Sequence, residues 1–160
     1  MHPSRKESAK EYIESLDSVV MDELDEMEEL EKEMSEAFIE LEEHFNLSTL
    51  HSIGRIYGQY ARMIGMMMDF EDVSYSLKNL SDFLLELQSV EFNQRKMAIL
   101  LQAISEDLVN WRETIFVKQE SNDIHYLDAS LLSSCLQIKM DFSEGEGEDE
   151  SDDLELFWWN

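Results

Sequence analysis

The stretch MAILLQAISEDLVNWRETI, residues 97–115, decides the fold class because its apolar residues recur in steps of four and three. The recurring positions are Met97, Leu101, Ile104, Leu108, Trp111 and Ile115. At ~3.6 residues per turn, this spacing places them all on one face of a helix. A helix with one such stripe buries it against other helices, so the stretch predicts a member of a helical bundle.

Upstream, the same spacing predicts a long acidic helix. From Ile13 to Phe45 apolar residues recur at steps of three and four, while the remaining positions are almost wholly Glu and Asp. A parallel self-dimer through this segment would place like charges side by side. We therefore expect its apolar stripe to pack on the rest of the chain.

Two polar breaks separate the next helices. Asn46 or Ser48 is suited to cap a second helix over about residues 48–68, and Asp69 is suited to cap a third. The sequence has one proline, Pro3, and five glycines, too few for a turn-rich β fold. Helices are therefore expected throughout the folded part.

A fifth helix is predicted from residue 124 to about residue 140, and two of its sides are uncharged. One side carries a regular apolar stripe. The opposite side carries Tyr126, Ala129, Leu132, Ser133 and Leu136. This pattern indicates either burial on both sides or a docking surface, and burial within the domain is the commoner cause.

The chain is thus predicted to be all-α, an antiparallel four- to five-helix bundle over residues 1–142 with a long acidic N-terminal helix. Residues 143–160 are expected to form a disordered acidic tail. The candidate partner-binding residues at its end are Leu154, Leu156, Phe157 and Trp158. Large apolar side chains closing an acidic tail are typical of peptide anchors for a hydrophobic groove, although they could also fold back onto the bundle.

Charge limits the partners. Twelve basic and 37 acidic residues give a formal net charge of −25, concentrated in residues 11–43 and 141–160, whereas residues 44–140 are nearly balanced. Such a surface repels nucleic acid and anionic membranes, so we expect neither direct nucleic-acid binding nor membrane binding. The expected partner is a protein, either a basic one or one resembling a response regulator.

Few signals point to catalysis, a metal or a cofactor. Cys135 is the one cysteine, and nucleotide-binding, zinc and Glu-x-x-His di-iron motifs are missing from the sequence. The first residues contain no apolar run typical of a secretion signal, and the apolar run MIGMMM is too short to cross a bilayer. The sequence therefore predicts a cytoplasmic protein with no cofactor and no metal.

The candidate site lies in HSIGRIYGQYARMIG, residues 51–65, where glycines interrupt a predicted helix. Small residues form one stripe on that helix: Gly54, Gly58, Ala61 and Gly65. His51, Arg55 and Arg62 border it. Such a stripe either packs closely against another helix or lets a bulky anion or a partner protein reach the imidazole. Both uses could coexist at different ends of the stripe.

Residues 48–90 resemble histidine-phosphotransfer domains, whose second long helix carries His-x-Leu-Lys-Gly and a later Leu-Gly. HSIGR at 51–55 is similar, with the glycine and the basic residue exchanged. The resemblance implies a helical bundle that docks a response regulator, with His51 as phosphoacceptor, Arg55 and Arg62 neutralising phosphate, and Gly54 and Gly58 clearing the approach.

Counting back from Gly65 at that family's spacing places Arg55, not His51, at the phosphorylated position. In that case the chain is a non-enzymatic interaction or adaptor module of bacterial-type signalling that docks without chemistry.

Two other functions are open. The dense acids of residues 11–43 could imitate the phosphates of DNA and occupy a nucleic-acid-binding protein. Alternatively, an acid and an amide one turn apart, Asp107 with Asn110 or Glu91 with Gln94, could orient water in a response-regulator phosphatase.

Overall fold

A computed structural model describes residues 8–15, 18–120 and 122–143, and every regular element in these ranges is helical. The α-helices are α1 (Ala9–Ser15), α2 (Ser18–Glu43), α3 (Leu47–Gly65), α4 (Glu71–Glu86), α5 (Gln94–Arg112) and α6 (Asp128–Phe142). A 3-10 turn, Met68–Phe70, precedes α4, and a π-helical segment, Glu113–Val117, extends α5. The all-α prediction is confirmed for the described residues.

Within the described residues, α1 and α2 cover most of the predicted long N-terminal helix. Residues 16 and 17, between α1 and α2, lie outside the described residues. α2 alone has 26 residues, ~39 Å of helix. Its stripe side chains Met27, Met34 and Leu41 are buried, and α2 packs on α3 and α5.

α3 begins where the sequence predicts. The Thr49 backbone N–H donates to Oδ1 of Asn46 at 2.9 Å, which satisfies one of the free amides of the first turn. Asn46 is therefore the cap.

The predicted cap of α4 is wrong. Asp69 lies inside the 3-10 turn, and α4 begins after Phe70, which makes no side-chain capping hydrogen bond. The Phe70 ring is fully buried and meets the Trp111 ring edge-on at a centroid distance of 4.9 Å. This tertiary anchor sets the start of α4 in place of a local cap.

α6 begins at Asp128, later than the predicted residue 124. Residues 124–127 form a turn instead. The His125 backbone N–H donates to Oδ1 of Asp123 at 3.0 Å, which stabilises the start of this turn. Ile124 and Leu127 are buried, so the turn keeps the apolar spacing without the helical backbone.

The described helices contact one another in the order α2, α3, α4, α6, α5 and back to α2. α1 packs against the π-helical segment. None of the described helices is both long enough and apolar enough to cross a membrane. Residues 144–160, with the candidate anchors Leu154, Leu156, Phe157 and Trp158, lie outside the described residues.

The outer side of α6 differs from its expected burial. Leu132 is 44% exposed and Leu136 is 45% exposed, and Ala129 and Ser133 are exposed as well. α6 contacts α4 and α5 through its other side only. The two-sided burial that the sequence favoured is therefore wrong, and the uncharged side faces solvent.

Candidate functional site

The small-residue stripe of α3 packs against α4, which buries Gly54 and Ala61 and leaves Gly65 exposed. Ser81 donates its hydroxyl to the Gly54 carbonyl at 2.6 Å, and Ser74 donates to the Ala61 carbonyl at 2.7 Å. Because rising numbers on α4 meet falling numbers on α3, the two helices run antiparallel. The stripe therefore serves close helix packing.

The closeness of this packing explains the glycines. A Cβ at Gly54 would lie 3.2 Å from Cβ of Leu84, and one at Gly58 would lie 2.8 Å from Oγ of Ser81. Gly54 is buried and Gly58 is half-buried. The expectation that the glycines keep an approach open is therefore wrong at Gly54, because α4 occupies that space.

His51 is half-buried at the edge of the same contact. Its Nε2 lies 3.0 Å from the backbone carbonyl oxygen of Leu87, which caps the end of α4. A neutral imidazole that donates from Nε2 keeps only Nδ1 as an acceptor. A reaction at Nε2 would first have to break this hydrogen bond.

Arg55 and Arg62, unlike Gly54 and Gly58, are exposed. Arg55 donates from Nη2 to the Ser52 hydroxyl at 2.9 Å. The two guanidiniums stand about two turns, ~10 Å, apart along α3. Of the candidate residues on α3, the arginines are the ones a partner can reach directly.

The structure contains a second site that the sequence did not predict, a groove between α2 and α5. Its volume is about 480 Å³. The residues that line it are, from α2, Glu31, Met34, Ser35, Phe38, Ile39 and Glu42, and, from α5 and the start of the π-helical segment that extends it, Gln102, Ser105, Glu106, Val109, Asn110 and Glu113. On each helix they recur with the spacing of a single helical face, over about three turns or ~16 Å. The groove therefore has the length of a short helix.

The floor of the groove is apolar and its rim is acidic. Met34 and Phe38 are buried at the floor, whereas the Ile39 side chain is 58% exposed. Glu42 and Glu106 are exposed at the rim. Among the described residues that line the groove, none is a lysine or an arginine.

A weak sequence signal does exist for this groove. In the apolar pairs Phe38–Ile39 and Leu108–Val109, the first residue belongs to the buried stripe of its helix. The second residue, Ile39 or Val109, lies beside that stripe. Two such pairs on separate helices do not show that the helices are neighbours. Only the tertiary arrangement joins them into one surface.

A buried ion pair fixes one end of the groove. Arg112 donates from Nε to Oε2 of Glu31 at 2.6 Å and from Nη2 to Oε1 at 2.8 Å, and Tyr60 donates to the same Oε2 at 2.8 Å. These groups join α5, α2 and α3. Burial raises the pKa of Tyr60, and hydrogen bonding to Glu31 raises the pKa of Arg112, so the phenol stays neutral and the guanidinium stays charged.

A second buried hydrogen bond lies under the floor. Tyr57 donates to the Leu101 carbonyl at 2.6 Å and lies 2.7 Å from the Ser105 hydroxyl. Because Ser105 lines the groove, α3 supports the floor from below.

Within the part of the chain that the structure describes, no group of three or more His, Cys, Asp or Glu residues is arranged to hold a metal ion. Family models, curated proteins and solved structures contain no match to this chain.

Proposed function

We propose that this chain is a non-enzymatic docking module whose α2–α5 groove binds a basic amphipathic helix of a partner protein. The observation that carries the proposal is the apolar floor beneath an acidic rim. We take the helices, in their order of contact, to form a five-helix bundle that acts as the scaffold.

The shape of the groove favours a helix as its occupant. Both walls are helical faces about three turns long, and a third helix fits between two others when its apolar face meets theirs. Phe38, Ile39 and Val109 provide the apolar contact at its centre. A partner with apolar residues at steps of three and four would bury this surface.

The charge of the groove selects a basic partner. Glu42, Glu106 and Glu113 line it, and the chain as a whole carries a net charge of −25. Such a field speeds the encounter with a basic segment and disfavours an acidic one. The chain's own acidic residues 144–160 are for this reason a poor occupant.

A synthetic helical peptide of leucine and lysine tests the proposal, with binding followed by fluorescence anisotropy. Ile39→Lys should weaken binding about tenfold or more, on the order of 1.4 kcal/mol, because it removes apolar contact and repels lysine. The matched control is Leu136→Lys, which makes the same charge change at a 45% exposed leucine on α6. Equal binding by the two variants would overturn the groove as the site.

Imitation of nucleic acid is the second candidate, and the acidic exposed face of α2 favours it. Asp25, Glu29, Glu33, Glu36 and Glu40 are among its exposed residues. A lysine-only peptide separates the two functions. If that peptide binds as tightly as the amphipathic one and all binding disappears at 0.5 M salt, the chain acts through its charge alone.

Docking of a response-regulator-like partner on α3 stays a prediction, and Arg55 and Arg62 are its accessible residues. The hydrogen bond between Nε2 of His51 and the Leu87 carbonyl favours docking without phosphoryl transfer. Labelling by a small phosphodonor that is lost in His51→Gln would instead favour the relay.

A further inference from the structure

The outer side of α6 carries an uncharged strip along its whole length. Leu132, Leu136 and Met140 are 44%, 45% and 75% exposed, respectively. Ala129 and Ser133 complete the strip and are exposed as well. These positions share one face of the helix, and the elements that α6 contacts lie on its other side.

The uncharged strip contrasts with the rest of a strongly anionic molecule. Bringing two copies of a chain with a net charge of −25 together is opposed by repulsion, unless their contact excludes acidic residues. The acidic α2–α5 groove cannot serve this purpose. The uncharged strip lets two copies meet through apolar side chains without opposing carboxylates.

Two charged residues beside the strip indicate that its binding partner is a second copy of the chain. Asp128 and Lys139 are separated by about three turns, ~16 Å, along α6 and by only ~20° around its axis. Both residues are partly exposed, and Oδ2 of Asp128 also lies 3.2 Å from Nδ1 of His125 in the same chain. If two α6 helices pack antiparallel across a two-fold axis, Lys139 of each copy lies beside Asp128 of the other. The flank is thus complementary to itself.

We propose that the uncharged strip is a homodimer interface, in which the α6 helices of two copies pack antiparallel about a two-fold axis near Ser133. Leu132 of each copy then contacts Leu136 of the other, and Asp128 of each copy pairs with Lys139 of the other. The interface leaves the α2–α5 groove of each copy free for its basic partner.

Sedimentation equilibrium from ~10 μM to 1 mM tests the proposal. The full chain should form a dimer that Leu136→Lys converts to a monomer at the same concentration, because two lysines would face each other near the axis. Ile39→Lys, with the same charge change in the groove, should leave the dimer intact. A monomeric full chain throughout this range, or equal behaviour of the two variants, would overturn the proposal.

A charge exchange tests the antiparallel arrangement. Lys139→Asp alone places aspartates opposite each other, and Asp128→Lys alone places lysines opposite each other, so each variant should dimerise at least several-fold more weakly. An equimolar mixture restores both pairs and should recover the dimer. Circular dichroism identifies any variant that is misfolded. Failure of two folded variants to recover the dimer on mixing would exclude the antiparallel pairing.

The remaining competitor is the apolar end of the chain itself. Replacing Leu154, Leu156, Phe157 and Trp158 by serine in the full-length chain should leave the monomer–dimer equilibrium unchanged. A change in that equilibrium would show that these residues, and not a second α6, meet the strip.

Discussion

Gly58 lies where α3 packs closely against Ser81 of α4. A Cβ at this position would lie 2.8 Å from Oγ of Ser81, whose hydroxyl donates to the Gly54 carbonyl at 2.6 Å. Alanine in a helix is favoured over glycine by ~1 kcal/mol, but here it would displace a buried hydrogen bond. We expect Gly58→Ala to lower the free energy of unfolding by about 1–2 kcal/mol.

Urea unfolding of a double-mutant cycle checks this expectation. In a Ser81→Ala background the obstructing hydroxyl is gone, so Gly58→Ala should become neutral or stabilising by up to ~1 kcal/mol. In a Ser74→Ala background, where the altered hydroxyl faces Gly65, the original penalty should persist. The same penalty in both backgrounds would contradict the assigned contact.

At the scale of residues, the sequence predicted which small side chains share a face but not what covers them. Gly54, Gly58 and Gly65 are correctly placed on one stripe, because that follows from the helical period alone. Their close packing depends on Ser74 and Ser81, which are polar residues on a different helix. A local pattern contains no information about that pairing.

At the scale of elements, the pair formed by Arg112 and Glu31 joins α5 to α2. Both residues are less than a tenth exposed, and the guanidinium contacts both carboxylate oxygens. Removing one partner leaves a buried charge unpaired. We expect Arg112→Met to lower the free energy of unfolding by about 3–5 kcal/mol.

Chemical denaturation of matched variants isolates the effect of burial. The double variant Glu31→Met, Arg112→Met should recover part of the loss, because no unpaired charge remains although the buried Tyr60 hydroxyl loses its acceptor. Lys78→Met, which breaks an exposed pair with Asp82, should cost less than about 1 kcal/mol. A similar small cost for Arg112→Met would show that water reaches the buried pair.

Helix boundaries could be predicted where the signal was local. Asn46 caps α3 through its own side chain, and it was one of the two caps that the sequence offered. α4 starts behind a turn anchored by Phe70, and α6 starts behind a turn held by Asp123, so apolar spacing alone misplaced both starts. The α2–α5 groove could not be predicted, because the sequence does not show that Ile39 and Val109 line the same groove.

At the scale of the whole molecule, the charge of −25 opposes the compact state. Screening by salt should therefore stabilise the fold, and raising NaCl from 0.05 to 0.5 M should raise Tm by about 2–5 °C in differential scanning fluorimetry. Choline chloride at equal ionic strength is the control, because screening does not depend on the cation. A fall in Tm would show that ion pairs outweigh the repulsion.

Composition predicted the helical class, since one proline and five glycines leave few turns. It also located the excess acid, which lies mainly on the exposed faces of α2 in the described chain. It could not predict that the outer side of α6 faces solvent. Apolar residues on two sides of a helix are compatible with either environment, and the choice depends on how many neighbours the helix has.

The π-helical segment Glu113–Val117 makes the fold sensitive to the deletion of a residue at this point of the chain. The Lys118 backbone N–H donates to the Glu113 carbonyl at 2.8 Å, so this hydrogen bond spans one residue more than an α-helical one. The segment buries both Ile115 and Phe116. Phe116 there meets Trp111 and Tyr12, whose rings join α5 to α1. Losing a single residue from this segment would restore ordinary winding with little rotation of the downstream chain, but the core would then lose one of the two adjacent buried side chains, Ile115 or Phe116. Deletions that a surface loop absorbs should therefore be poorly tolerated between Arg112 and Lys118.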